Sequence, residues 1–81
     1  MKVKLKLLAT YRNVLPPEAA EGEIVLSISG EVSANDLVKR YGIPADESSV
    51  ILVNGLTPKP GDYLRDGDTV FVFPAIAGGR F

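Results

Sequence analysis

Residues Lys2–Leu7 alternate lysine with an apolar side chain at every step, setting Lys2, Lys4 and Lys6 against Val3, Leu5 and Leu7. Side chains of an extended strand point to opposite faces with period two, so this is the pattern of a sheet with one wet and one dry face. The rest of the chain then has to supply neighbouring strands and a cover for the dry side. Glu23–Ile28 repeats the alternation, with Ile24, Leu26 and Ile28 on one face. Between the two segments, Thr10–Gly22 carries Pro16-Pro17 and a Glu18-Ala19-Ala20-Glu21-Gly22 run, the composition of a connecting loop with room for one short helical turn. Two amphipathic strands joined this way read as a hairpin.

Ser33-Ala34-Asn35-Asp36 has the form of a helix start. The Ser33 hydroxyl suits the Asp36 amide, and the Asp36 carboxylate suits both a reciprocal capping bond and the positive helix end. Leu37, Val38 and Tyr41 supply a buried stripe, Lys39 and Arg40 sit where cations are favoured, and Gly42 with Pro44 ends the helix. Val50-Ile51-Leu52-Val53 is apolar without alternation and reads as a buried strand, cut by the turn dipeptide Asn54-Gly55. Thr57–Asp62 is too rich in proline for regular structure, and Leu64–Asp68 is a turn that delivers Thr69–Pro74 as the last strand.

The order strand, strand, helix, strand, turn, strand is an α+β arrangement, with one main helix packed across a mixed sheet of four to five strands and the first and last strands adjacent in its middle. This is the β-grasp, or ubiquitin-like, layout. With 81 residues the expectation is a single domain over 1–81, too small to enclose a deep catalytic pocket. The absence of cysteine and histidine removes disulfides, thiol catalysis, zinc fingers and every triad built on an imidazole. Nine basic and ten acidic side chains leave a net charge of −1, and no cationic run offers a phosphate-binding patch, which argues against nucleic acid as a partner. The first eight residues are neither a signal peptide nor a membrane span, because their charges interrupt the apolar run. A cytoplasmic binding or carrier module that is not an enzyme, with no catalytic residues, bound metal or cofactor of its own, fits these limits.

Pro74-Ala75-Ile76-Ala77-Gly78-Gly79-Arg80-Phe81 leaves the last strand through a proline and carries paired glycines. Glycine loses more backbone entropy on ordering than other residues, and without a Cβ it lets another protein close around the main chain. Residues 75–81 are therefore read as a flexible tail to be threaded into a partner. In the strand before it, alternation puts either Phe71 and Phe73 or Val70 and Val72 inside. The reading here is valines inside, with part of the phenylalanine face turned to a partner. Lys2, Lys4 and Lys6 read as a solvated face that also steers an acidic partner. Arg12 and Arg65 are exposed by default and free to meet an acidic surface. Asp66-Gly67-Asp68 reads as a turn stabilised by its own aspartates, with no metal assigned.

Leu64-Arg65-Asp66-Gly67-Asp68-Thr69-Val70-Phe71-Val72-Phe73-Pro74 followed by Ala77-Gly78-Gly79 resembles the C-terminal signature of the MoaD/ThiS family of ubiquitin-like sulfur carriers, and Val53-Asn54-Gly55 resembles that family's strand and turn. The aromatic, proline and Ala-Gly-Gly ending is similar to the MoaD-like branch. The resemblance implies that an E1-like activating enzyme of the MoeB/ThiF type adenylates Gly79, and that sulfur then replaces AMP to give a thiocarboxylate. It implies a threading role for Gly78 and Ala77, docking roles for Phe71, Phe73, Ala75 and Ile76, and a partnership with a MoaE-like large subunit of molybdopterin synthase in pterin cofactor synthesis. The sequence departs from the pattern in carrying Arg80 and Phe81 after Gly79, so the Gly79 carbonyl is an amide until a JAMM-type or other peptidase exposes it. Three alternatives remain beside the first: a modifier joined to target lysines, a carrier for thiamine or amino-acid synthesis, and a β-grasp interaction domain whose tail is never activated.

Overall fold

The computed structural model describes residues 1–14 and 22–75. Strand β1, Lys2–Leu7, leads into a 3₁₀ helix over Ala9–Val14, and strand β2 follows at Glu23–Ser27. Helix α1 spans Ala34–Lys39, and strands β3, Ser49–Val53, and β4, Thr69–Pro74, complete the order. Among the described residues the sheet has four strands in the order β2-β1-β4-β3. β1 runs parallel to β4, while the two outer pairs are antiparallel. The expected β-grasp layout, with the first and last strands side by side in the middle, is what the chain forms.

The inner face follows from strand parity. Val3, Leu5 and Leu7 of β1 and Val70 and Val72 of β4 point under α1, where Leu37 and Val38 meet them. All seven are at most 1% exposed. Burying such a side chain is worth roughly 1.5–3 kcal/mol relative to leaving it in water, so these residues dominate the fold's stability. Ile28, Val32, Ile43 and Leu64 close the rim of the same cluster.

The capping box of α1 forms as read: Asp36 donates its amide to Ser33 Oγ at 3.1 Å, and the Ser33 amide reaches Asp36 Oδ2 at 3.5 Å. At the other end the Gly42 amide donates to the Lys39 carbonyl at 3.0 Å and the Ile43 amide to the Val38 carbonyl at 3.3 Å. This is the paired closure that needs a left-handed residue, and Gly42 supplies it at φ +75°. Tyr41 therefore lies beyond the last helical residue and is half-buried against the core, not part of a fully buried stripe.

β3 differs from the expected buried strand: all five of its residues are partly exposed. It is an edge strand, so one of its flanks lacks a neighbour. Its alternate residues divide between two environments, with Ile51 and Val53 on the core and Val50 and Leu52 opposite Phe73 and Phe71. An unbroken apolar run marks burial on both faces only where both faces are covered.

Candidate functional site

The last four residues of β4 prepare the place where the chain continues toward its paired glycines. With Val70 and Val72 fully buried, Phe71 and Phe73 fall on the outer face of the sheet, where both are half-exposed. Phe71 stands opposite Leu52 of β3 on one side and Lys6 of β1 on the other, and Phe73 stands opposite Val50. The outer face thus divides in two: an apolar half over β3 and β4, and a cationic half over β1 carrying Lys2, Lys4 and Lys6. Lys2 and Lys4 are exposed, while Lys6 is half-buried and lies 3.7 Å from Glu23 of β2, an ion pair worth little in water.

Ala75 is tied down one step beyond β4. Its amide donates to the Ser48 carbonyl at 2.9 Å, continuing the ladder between β3 and β4 past the strand ends. Ser48 is itself held by a turn: Asp46 Oδ1 accepts from the Ser48 amide at 2.8 Å and from the Ser48 hydroxyl. Those two bonds, the hydroxyl first, hold the Asp46 carboxyl below its ordinary value of 3.8 by stabilising the charged form. From the 3₁₀ helix, the Tyr11 hydroxyl reaches Ser49 Oγ at 2.7 Å and the Ser48 carbonyl at 3.4 Å. Sequence patterning gave no role to Tyr11, Asp46 or Ser48. The one available signal was the Asp46-Glu47-Ser48-Ser49 spacing, which suits an aspartate bonding the backbone two residues on. The predicted tail residues Ile76, Ala77, Gly78, Gly79, Arg80 and Phe81 lie outside the described residues.

The opposite end of β4 is knitted by the two motifs that the sequence singled out. Asn54 and Gly55 both take positive φ, +54° and +85°, as a two-residue turn requires, and Val53 and Leu56 exchange amide-to-carbonyl bonds of 2.8 and 3.0 Å across it. The Asn54 side chain then does for Thr69 what a strand would do, accepting its amide at 3.0 Å while donating to Asp68 Oδ1 at 3.0 Å. Asp68 Oδ2 accepts the Arg65 amide at 2.8 Å, which is the local turn bond expected of it. Asp66 behaves otherwise: its Oδ1 accepts the Lys2 amide at 2.7 Å and so fastens the turn to the start of β1. The two acidic residues are engaged by backbone amides and the Asn54 side chain, and among the described residues no group of three His, Cys, Asp or Glu side chains gathers to hold a metal ion.

Also at this far end, a groove of about 630 Å³ is lined by Leu56, Tyr63, Arg65 and Asp68 among others, with Leu56 and Tyr63 73% and 51% exposed. It lies at the start of β4 and Ala75 at its other end, so the groove is remote from the place where the chain runs on toward Gly79. No helix among the described residues is long and apolar enough to cross a membrane.

The family model for the Mut7-C ubiquitin domain matches residues 1–78. The chain belongs to the Mut7-C ubiquitin family. Within it, this Mut7-C ubiquitin chain is a MoaD/ThiS-like ubiquitin-like protein by its fold neighbours. It is similar to SAMP1 from Haloferax volcanii, at 22% identity and a TM-score of 0.70, over 98% of this chain and 100% of that one. A Pyrococcus furiosus protein described as molybdopterin converting factor, subunit 1, matches at 27% identity and a TM-score of 0.70, over 94% of this chain and 99% of the other. A second structure of the H. volcanii small archaeal modifier protein 1 matches at 19% identity and a TM-score of 0.68, over 93% and 98% of the two chains. No curated protein matches the chain in sequence. Together these matches make the chain a small ubiquitin-like protein of the MoaD-like and SAMP kind.

Proposed function

We propose that this chain is a ubiquitin-like sulfur carrier whose Gly79, once Arg80 and Phe81 are removed, is adenylated by an E1-like enzyme of the MoeB/ThiF type and converted to a thiocarboxylate. The supporting observation is the end of β4. Ala75 is held to Ser48 beside the half-exposed Phe71 and Phe73, and the Gly78-Gly79 pair follows four residues after Pro74. An activating enzyme that grips this apolar half of the outer face, with Lys4 and Lys6 facing its acidic groups, gains a fixed reference from which to thread the paired glycines.

The chemistry needs a free carboxylate. A carboxylate oxygen of Gly79 attacks the α-phosphorus of ATP and expels pyrophosphate, and the resulting mixed anhydride makes the carbonyl carbon electrophilic. Hydrosulfide then adds at that carbon, AMP leaves and the acyl thiol loses its proton, which yields the thiocarboxylate. While Gly79 is bonded to Arg80 there is no carboxylate to attack with, so a peptidase of the JAMM or another class acts first. Residues 76–79 serve as the threaded segment, Gly78 and Ala77 presenting the least bulk to a narrow channel. The likeness to a molybdopterin converting factor subunit 1 supports a part in pterin cofactor synthesis; on this reading a MoaE-like subunit consumes the sulfur in the cytoplasm.

A second reading, conjugation of Gly79 to target lysines, is favoured by the likeness in fold to the small archaeal modifier protein. The two share activation and differ in the nucleophile that follows. Intact mass of the protein from its native host, with sequencing of its C-terminal peptide, separates them. A chain ending at Gly79 and heavier by the difference between sulfur and oxygen supports the carrier. Gly79 recovered in isopeptide linkage supports the modifier, and a chain that always retains Arg80 overturns both.

A further inference from the structure

The sheet has two edges, β2 and β3, and they are guarded differently. On β3 the Ser49 amide is taken by the Asp46 carbonyl at 3.1 Å, and both backbone groups of Val53 are taken by Leu56. Turns at each end thus leave little of that edge open.

Among the described residues, β2 has no such guard. Met1 and Ile28 exchange bonds of 2.9 and 2.8 Å, and in an antiparallel ladder such reciprocal pairs recur at every second residue. By the register, Val3 with Leu26 and Leu5 with Ile24 are the next such pairs. The backbone N–H and C=O groups of Glu23, Val25 and Ser27 therefore point away from β1, and none of them has a partner among the described residues. The strand carries no lysine and no proline, and Val25 at its centre is 60% exposed. Edge strands usually carry one of these blunting devices, because an open row of backbone groups is a template for another strand.

We propose that β2 pairs antiparallel with β2 of a second copy of this chain, about a two-fold axis through Val25, joining two four-stranded sheets into one of eight. The register argues for a second copy as the occupant. Centring on Val25 sets Glu23 of each copy opposite Ser27 of the other and Ile24 opposite Leu26, and it uses all three outward residues of both strands in six backbone bonds. Centring one residue away in either direction uses only two residues of each strand and four bonds. The charges agree as well. Each row across the junction on the outer face ends in a lysine of β1 on either side, and each Glu23 falls between Lys6 of its own copy and Ser27 of the other, so no like charges meet directly. Half-buried Ile24 and Leu26 gain cover on the inner face. The junction lies beyond β1 from β4 and so leaves Phe71, Phe73 and Ala75 clear. This pairing stands or falls independently of any activation of Gly79.

The test is amide hydrogen exchange on the full chain across a concentration series, alongside sedimentation equilibrium. Pairing slows exchange at Glu23, Val25 and Ser27 as the dimer appears, with Ile24 and Leu26 already protected in the monomer. Val25→Lys, which sets two like charges on the axis, should raise the concentration needed for half-dimerisation by about tenfold or more. Val25→Glu should do the same, and mixing the two variants should restore the dimer. A chain that sediments as a monomer up to millimolar concentration overturns the proposal. So does a dimer indifferent to both substitutions, or protection of the three amides that appears only when another protein is added.

Discussion

The two faces of the sheet are written by the same strands one residue out of step, and they do opposite things. Val3, Leu5, Leu7, Val70 and Val72 face α1 and are at most 1% exposed, a packed interior in which no side chain has freedom to meet a partner. Lys2, Lys4, Lys6, Phe71 and Phe73 face outward, and there the sheet keeps apolar area at half burial beside the cations of β1. Inner-face residues hold the fold, and outer-face residues are available to a second protein. A substitution on the inner face should therefore register in stability, and one on the outer face in association.

The largest break is expected at Leu5, whose replacement by alanine leaves a cavity beneath α1 and should cost about 2–5 kcal/mol in urea unfolding. On the opposite face, Phe71→Ala with Phe73→Ala should leave the chain folded while weakening its use by an activating enzyme about tenfold, an effect of about 1.4 kcal/mol read as kcat/KM. If the double variant unfolds before it loses association, the division of labour between the faces fails. Removal of the Ser33 hydroxyl by Ser33→Ala takes away the cap of α1 and should lower stability by about 1 kcal/mol, without changing association. Lys4→Gln should hardly affect unfolding and should reduce only the salt dependence of the association rate.

The smallest effect is one of pH, at the turn that holds Ser48. The Asp46 carboxyl lies below its ordinary value of 3.8 because the Ser48 hydroxyl, then the Ser48 amide, bond its charged form. With the folded value depressed, the contribution is complete above the unfolded value and fades as pH falls through the lower, folded one. Asp46→Asn should flatten that acid limb of the unfolding profile, a change to be read by comparing the two proteins below pH 3.8.

Parity made the two faces legible from the sequence. Alternation placed the lysines outside and the valines of β4 inside, and the Ser33 and Gly42 signals bracketed α1. Topology rules placed β1 beside β4. The status of β3 was not legible, because Val50–Val53 lacks alternation and only its position at the sheet edge shows which residues are covered. The bonds from Asp66 to Lys2 and from Asn54 to Asp68 and Thr69 were likewise hidden. Each joins residues distant in sequence, and each follows only once the strand register is known. The clamp of Tyr11, Ser48 and Ser49 beside Ala75 was invisible for the same reason. For the site itself, the sequence supplied the Gly78-Gly79 tail and the phenylalanines, and the fold added the tether at Ala75.

On the proposed function the Gly79 carboxylate is the group that is adenylated, and Arg80 blocks it while the peptide bond between them stands. ATP–pyrophosphate exchange catalysed by an E1-like enzyme from the same host, with chains ending at Gly79 and at Phe81 compared side by side, tests it most directly. Exchange is expected with the chain ending at Gly79 and none with the longer one. Equal exchange with both, or none with either while the same enzyme activates another ubiquitin-like protein, would contradict it.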